Sequence, residues 1–160
     1  MASANPSFFA LDSFRNRLFV VNDIDEYEGL PMGSVESYAV APSAGRLQLI
    51  GRQPLSLSAI GPKHLAIAPD GRHIVVAIYG GGAYNVLPVQ LDGKIGNVAQ
   101  VLKEIGNGPY PKIQATAHPY SVAFHPSGKI VIATDFGAER IVLFRKRPPK
   151  PHTTNRSSAG

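Results

Sequence analysis

Of the chain's 160 residues 17% are charged, while 16 are glycine and 14 proline, a balance that suits many short strands joined by turns and excludes a protein built from long amphipathic helices. Cysteine is absent, which excludes disulfides and thiolate metal sites. The net charge of +5 lies outside the body: residues 1–144 hold 11 basic and 11 acidic side chains, and Arg145, Lys146, Arg147, Lys150 and Arg156 make the excess. A neutral body does not offer a nucleic-acid-binding face. No apolar run approaches the roughly 18 residues of a spanning helix, and no signal-peptide pattern opens the chain. The expectation is a soluble, cytoplasmic protein that binds neither nucleic acid nor membrane.

In chain order, strands are expected over Asn5–Asp12 and Arg17–Asn22, with a loop at Ser13–Asn16 between them. An acidic loop, Asp23–Met32, leads to Ser34–Val40, whose VESYAV alternates with period two. The turn Pro42-Ser43-Ala44-Gly45 joins it to Arg46–Gln53. The same order then repeats as His64–Ala68, Arg72–Ile78, Ala83–Leu91 and Asn97–Glu104, with Pro69-Asp70-Gly71 and Asp92-Gly93 as turns. Residues 105–117 form a longer loop. Tyr120–His125, Lys129–Asp135 and Arg140–Arg145 follow, without a fourth strand. The remainder, KRPPKPHTTNRSSAG, has no period and reads as a disordered basic tail.

These segments are copies of one unit. A shift of 57 residues sets Pro119 on Pro62, Ala123 on Ala66, Pro126 on Pro69 and Gly128 on Gly71; a shift of 56 the other way sets Pro6 on Pro62 and Ala10 on Ala66. Four-stranded antiparallel meanders at this spacing predict an all-β propeller of about two and three-quarter blades, divided at about 5–57, 58–117 and 118–144, with 145–160 as the tail. A parallel β-helix would need shorter repeats. The first strand of each blade lines the central channel, so the residues opening it stand around one mouth. The alignment puts Asn5, Gly61 and His118 at one level, then Ser7, Lys63 and Tyr120, then Phe8, His64 and Ser121. In that ring Lys63, His64, His118 and Tyr120 carry acid–base or anion-binding chemistry. Histidine titrates near neutrality and can activate water, while Lys and Arg can hold an anion or a developing oxyanion. The five histidines show no metal-ligand spacing, so no metal is expected.

NPSFFAL, the pair Asn22-Asp23, GPKHLAIAPDGR, YGGG followed by YNVLPV, HPYSVAFHPSGK and DFGAERIVLF, in this order over about residues 5–144, resemble the seven-bladed lactonase family of 6-phosphogluconolactonase-type and carboxymuconate-lactonizing-type propellers. The resemblance implies seven blades in a complete family member, a small-molecule lactone as substrate and no organic cofactor. His118 and Ser121 match a His-x-His-Ser pattern in which Tyr120 replaces the second histidine. Arg140 matches the arginine of a DxGxDR-like motif with Glu139 in place of aspartate, and Ile78 stands where Asn-Tyr-Gly-Gly-Gly begins. Arg140 could equally pair with Glu139 or Asp135 across its turn.

Carried onto these positions, the resemblance implies a lactonase-like hydrolase that opens a sugar-derived lactone such as 6-phosphogluconolactone. His118, His64 and Arg140 are its candidate catalytic residues, and Lys63 and Tyr120 its candidate substrate contacts. The family's later acidic and arginine groups lie in blades outside these residues, so the site is expected to be incomplete. The alternative from another class is a non-catalytic propeller fragment or interaction module, self-associating through open blade edges.

Overall fold

A computed structural model of the chain describes residues 3–41 and 43–146. The expected tail therefore lies, from residue 147 onward, outside the described residues. Among the described residues eleven strands and no helix form: β1 Pro6–Asp12, β2 Arg17–Asn22, β3 Ser34–Ala41, β4 Arg46–Pro54, β5 Pro62–Ile67, β6 His73–Ile78, β7 Ala83–Pro88, β8 Gln100–Lys103, β9 Pro119–Phe124, β10 Ile130–Asp135 and β11 Arg140–Arg145. They pair as three antiparallel meanders, β1-β2-β3-β4, β5-β6-β7-β8 and β9-β10-β11, the last with three strands. The first strands lie side by side, β1 against β5 and β5 against β9, as the inner strands of neighbouring propeller blades do.

Two of the expected strands are shorter than their apolar patterns. The seventh ends at Pro88, three residues before Leu91. Beyond it the chain folds back at Asp92-Gly93, where Gly93 takes a φ of 93° and Val89 bridges Ile95. The eighth keeps only Gln100–Lys103 of the expected Asn97–Glu104.

The core lies between the sheets, and β6 explains its arrangement. HIVVAI is apolar at five consecutive positions because both faces of the strand are covered. Ile74, Val76 and Ile78 face the first sheet and join Phe19, Val21, Val35 and Leu65. Val75 and Ala77 face the third and join Tyr84, Val122 and Ala133. Full burial of each large aliphatic side chain is worth about 1.5–3 kcal/mol, so these two contacts are the main force holding the sheets together. Tyr84 fills the space that Ala77 and Ala133 leave: its hydroxyl donates to the Thr134 carbonyl at 3.0 Å and its ring meets Phe144 edge-on at 5.3 Å. Burial pushes the Tyr84 phenol far above its ordinary pKa.

The most deeply buried charge of the first sheet is on β3. Glu36 is wholly enclosed and accepts hydrogen bonds from Ser3 Oγ at 2.6 Å, Arg52 Nε at 2.6 Å and the Tyr38 hydroxyl. Burial pushes its carboxyl up, but these donors favour the ionised form more strongly, and the net shift is downward.

Candidate active site at the mouth of the inner strands

Each inner strand begins with the same distortion. Pro6 pairs with Asn22 and Phe8 with Val21, Pro62 with Ile78 and His64 with Ala77, Pro119 with Asp135 and Ser121 with Thr134. In all three blades one residue is left over: Ser7, Lys63 or Tyr120. Proline suits this place because it needs no ladder partner for its nitrogen, and the bulge re-aims the residue that follows it. The repeat alignment put these three residues at one level; the bulge that frees them from the ladder was not legible in the sequence.

A second ring of equivalent contacts closes the mouth. The amides of Asp23, Tyr79 and Phe136 donate to the carbonyls of Asn5, Gly61 and His118 at 3.0, 3.2 and 2.9 Å. Asp23, Tyr79 and Phe136 thus occupy one column of the repeat, the position after each second strand, and all three face the mouth cluster. Sequence analysis singled out none of the three as a site residue. Their signal was available, since they stand 56 and 57 residues apart.

Tyr79 is the centre of the cluster. Its ring stacks on the His118 imidazole at 4.3 Å and 9°, meets Tyr120 edge-on at 6.1 Å and lies 6.3 Å from Phe136. The Lys63 ammonium sits 5.8 Å from the centre of the same ring and is paired with the Asp23 carboxylate across the first and second blades. Three of the expected residues, Lys63, His118 and Tyr120, are therefore gathered around a residue that was not expected. His118 Nδ1 lies 3.0 Å from the Tyr79 carbonyl oxygen. A carbonyl can only accept, so Nδ1 carries a proton, and in the neutral ring the lone pair is on Nε2. The His118 backbone is fixed as well, its amide donating to Asp135 Oδ1 at 2.7 Å. Behind it, Gly137 approaches so closely that a side chain there would overlap the Thr116 carbonyl.

His64 stands one step farther in, stacked on Phe8 of the neighbouring inner strand at 3.8 Å. Its Nδ1 is sealed from solvent with no hydrogen-bond partner, and burial pushes the imidazole below its ordinary pKa. Arg140 is placed differently from the others. Its guanidinium bonds Glu104 Oε2 at 2.5 Å and the Ile105 carbonyl at 3.0 Å, and lies 3.7 Å from Asp135 Oδ2. Of the two alternatives for its turn, Asp135 is the partner found, joined by Glu104 of the second blade. Arg140 and Tyr120 both line an open cleft of about 430 Å³ on the outward face of the third sheet, with Gln114, Phe136 and Glu139. Among the described residues no three of His, Asp and Glu gather as a metal site.

Three radially stacked meanders with a polar ring at the start of their inner strands define a β-propeller and its channel mouth. The family model for lactonase, 7-bladed beta-propeller, matches residues 1–159, and the chain belongs to that family. It is 23% identical over 141 residues to the 6-phosphogluconolactonase of Bacillus subtilis, covering 88% of this chain and 38% of that protein. The solved structure of the periplasmic gluconolactonase of Pseudomonas aeruginosa superposes with a TM-score of 0.81 at 33% identity, covering 91% of this chain and 40% of the other. A structure from Bacteroides fragilis, provisionally assigned as a 6-phosphogluconolactonase, superposes at 0.83 with 28% identity over 93% of this chain and 40% of its own. The chain thus spans about two-fifths of the length of these relatives.

Proposed function

We propose that these residues form part of the substrate mouth of a lactone hydrolase acting on a sugar-derived lactone such as 6-phosphogluconolactone. The observation that carries the reading is the His118 imidazole, bonded through Nδ1 to the Tyr79 carbonyl and stacked on the Tyr79 ring that also has the Lys63 ammonium 5.8 Å from its centre. In this reading His118 Nε2 takes a proton from water as the water oxygen bonds to the lactone carbonyl carbon. The ring C–O bond then breaks, and the proton passes to the departing alkoxide, leaving a hydroxy acid. Lys63 holds the phosphate or carboxylate of the substrate, and Tyr120, aimed out by its bulge, contacts the sugar. Arg140, already paired with Glu104 and Asp135, shapes the wall beside Tyr120 and adds positive charge near it.

The test is direct. Purified residues 1–160 should open 6-phosphogluconolactone faster than the spontaneous rate, and His118→Ala should remove the excess. A rate equal to background at every protein concentration sinks the hydrolase reading for this chain. Cytoplasmic location belongs to the same proposal. The Pseudomonas relative is periplasmic, and cell fractionation separates the two compartments.

A non-catalytic, self-associating propeller piece is the second reading, favoured by one observation. The outward face of the third sheet exposes Ile132, Ile141 and Leu143, the last two at 73% and 65%. Apolar surface of this kind commonly marks an interaction site. A discrete oligomer in sedimentation supports self-association, and a monomer at all concentrations removes it.

A further inference from the structure

We infer that the two mouth histidines hold their protons on opposite nitrogens, His118 on Nδ1 and His64 on Nε2, so that one presents a lone pair and the other an N–H to the channel. The His118 half follows from its carbonyl partner. The His64 half follows from which orphan is cheaper. Its Nδ1 is enclosed and has no partner among the described residues. An enclosed N–H without an acceptor forfeits a strong donor, and such groups are rarer in folded proteins than under-satisfied acceptors. The neutral ring therefore leaves the lone pair on the sealed Nδ1 and the proton on Nε2. The stack on Phe8 at 3.8 Å and 30° holds the plane of the ring. Burial disfavours the charged ring, which leaves the choice between the two neutral tautomers.

The chemical consequence rests on the lactone-hydrolase reading, although the tautomers themselves do not. A base and a hydrogen-bond donor are the two different groups that acyl transfer to water requires. The histidines divide these roles: His118 is the base, and His64 is a neutral donor for the oxyanion that develops on the lactone carbonyl. His64 is thereby excluded as the water-activating base.

Long-range ¹H–¹⁵N correlation on histidine-labelled protein reads both tautomers without any substrate. At about pH 8.5, two units above the ordinary imidazole pKa, the lone pair should appear on Nε2 of His118 and on Nδ1 of His64, these two of the five histidine sets being assigned from His118→Phe and His64→Phe. The same tautomer in both, or the reverse pair, overturns the inference. The roles are then read from kinetics. His64→Gln, which keeps an N–H near the place of Nε2, should retain kcat within about 10-fold, whereas His64→Phe should lose about 10²-fold, the usual worth of an oxyanion donor. Equal activity of His64→Phe and the unaltered chain overturns the donor role. Absence of lactone opening in the unaltered chain overturns the hydrolase reading instead, and leaves the tautomer measurement to decide this one.

Discussion

The two ends of the inner strands come from one repeated unit and are built in opposite ways. At the far end each inner strand passes to the next through a tight turn whose polar groups are used up locally. Gly71 and Gly128 both take a φ of 66° and donate to the carbonyls of Ala68 and His125 at 2.8 Å. Arg15 is bonded to Asp12 at 2.9 Å and reaches across to the Asp70 carbonyl at 2.8 Å, fastening the first blade to the second. At the mouth every inner strand carries a bulge, His64 Nδ1 has no partner, and an imidazole lone pair is left over. His73 Nδ1 at the start of β6 is the far end's exception. The difference teaches where each kind of residue is spent: satisfied hydrogen bonds stabilise the far end, and the mouth keeps binding capacity at some cost in stability.

Substitutions at the two ends should therefore separate stability from binding. The largest effect is expected where the mouth is closest-packed. Gly137→Ala puts a methyl group against the Thr116 carbonyl and 2.7 Å from the His118 backbone nitrogen, and should cost on the order of 3 kcal/mol in urea unfolding while displacing His118. Arg15→Ala should cost about 1 kcal/mol by losing its bond to Asp70, with no change in lactone affinity. A change in affinity there would break the comparison.

Acid should act through both buried groups. His64 has its folded pKa below the unfolded imidazole value, so the folded state binds the proton less readily and stability falls as pH drops below about 6.5. His64→Phe should flatten this slope, which for one group stays under about 1.4 kcal/mol per pH unit. Glu36 also has a lowered folded pKa, so its contribution is present above its unfolded value of 4.5 and is lost as the pH falls further. Two successive losses in a pH series of unfolding curves would sharpen the assignment, and only the first should vanish in His64→Phe.

The smallest effect on stability is expected for Lys63→Ala. Its ion pair with Asp23 is partly exposed and worth at most about 1 kcal/mol. The same change should raise KM for a phosphorylated lactone more than for the unphosphorylated one. Equal increases for both substrates would remove Lys63 as the anion contact.

Much of the fold was legible because the repeat constrains it three times over. Pro6, Pro62 and Pro119 mark the inner strands, and the Asp70-Gly71 and Ser127-Gly128 turns fix their far ends, so strand order followed from local chemistry alone. The overlong seventh strand was a misreading of Val89 and Leu91, apolar residues on a short hairpin beyond Pro88. Lys63, His118 and Tyr120 were legible as one ring because residues at neighbouring levels of the repeat, all at the opening of an inner strand, meet at one mouth. Tyr79 was passed over because its motif was read through its glycines, and its role depends on contacts with residues 16 to 57 positions away. Arg140 illustrates the other limit: its motif placed it near the site, and the nearness of Glu104 decided where its charge went.

The sequence by itself determined the strands, their antiparallel meanders, the three-fold repeat and the family, since turns and period-two burial are set by neighbours a few residues apart. Tertiary structure alone decided which nitrogen of His118 is free, which edge of His64 is sealed and with whom Lys63 and Arg140 pair. Those outcomes depend on distances between blades, and a hydrogen bond or an ion pair at 3 Å is fixed only when two sheets have packed face to face.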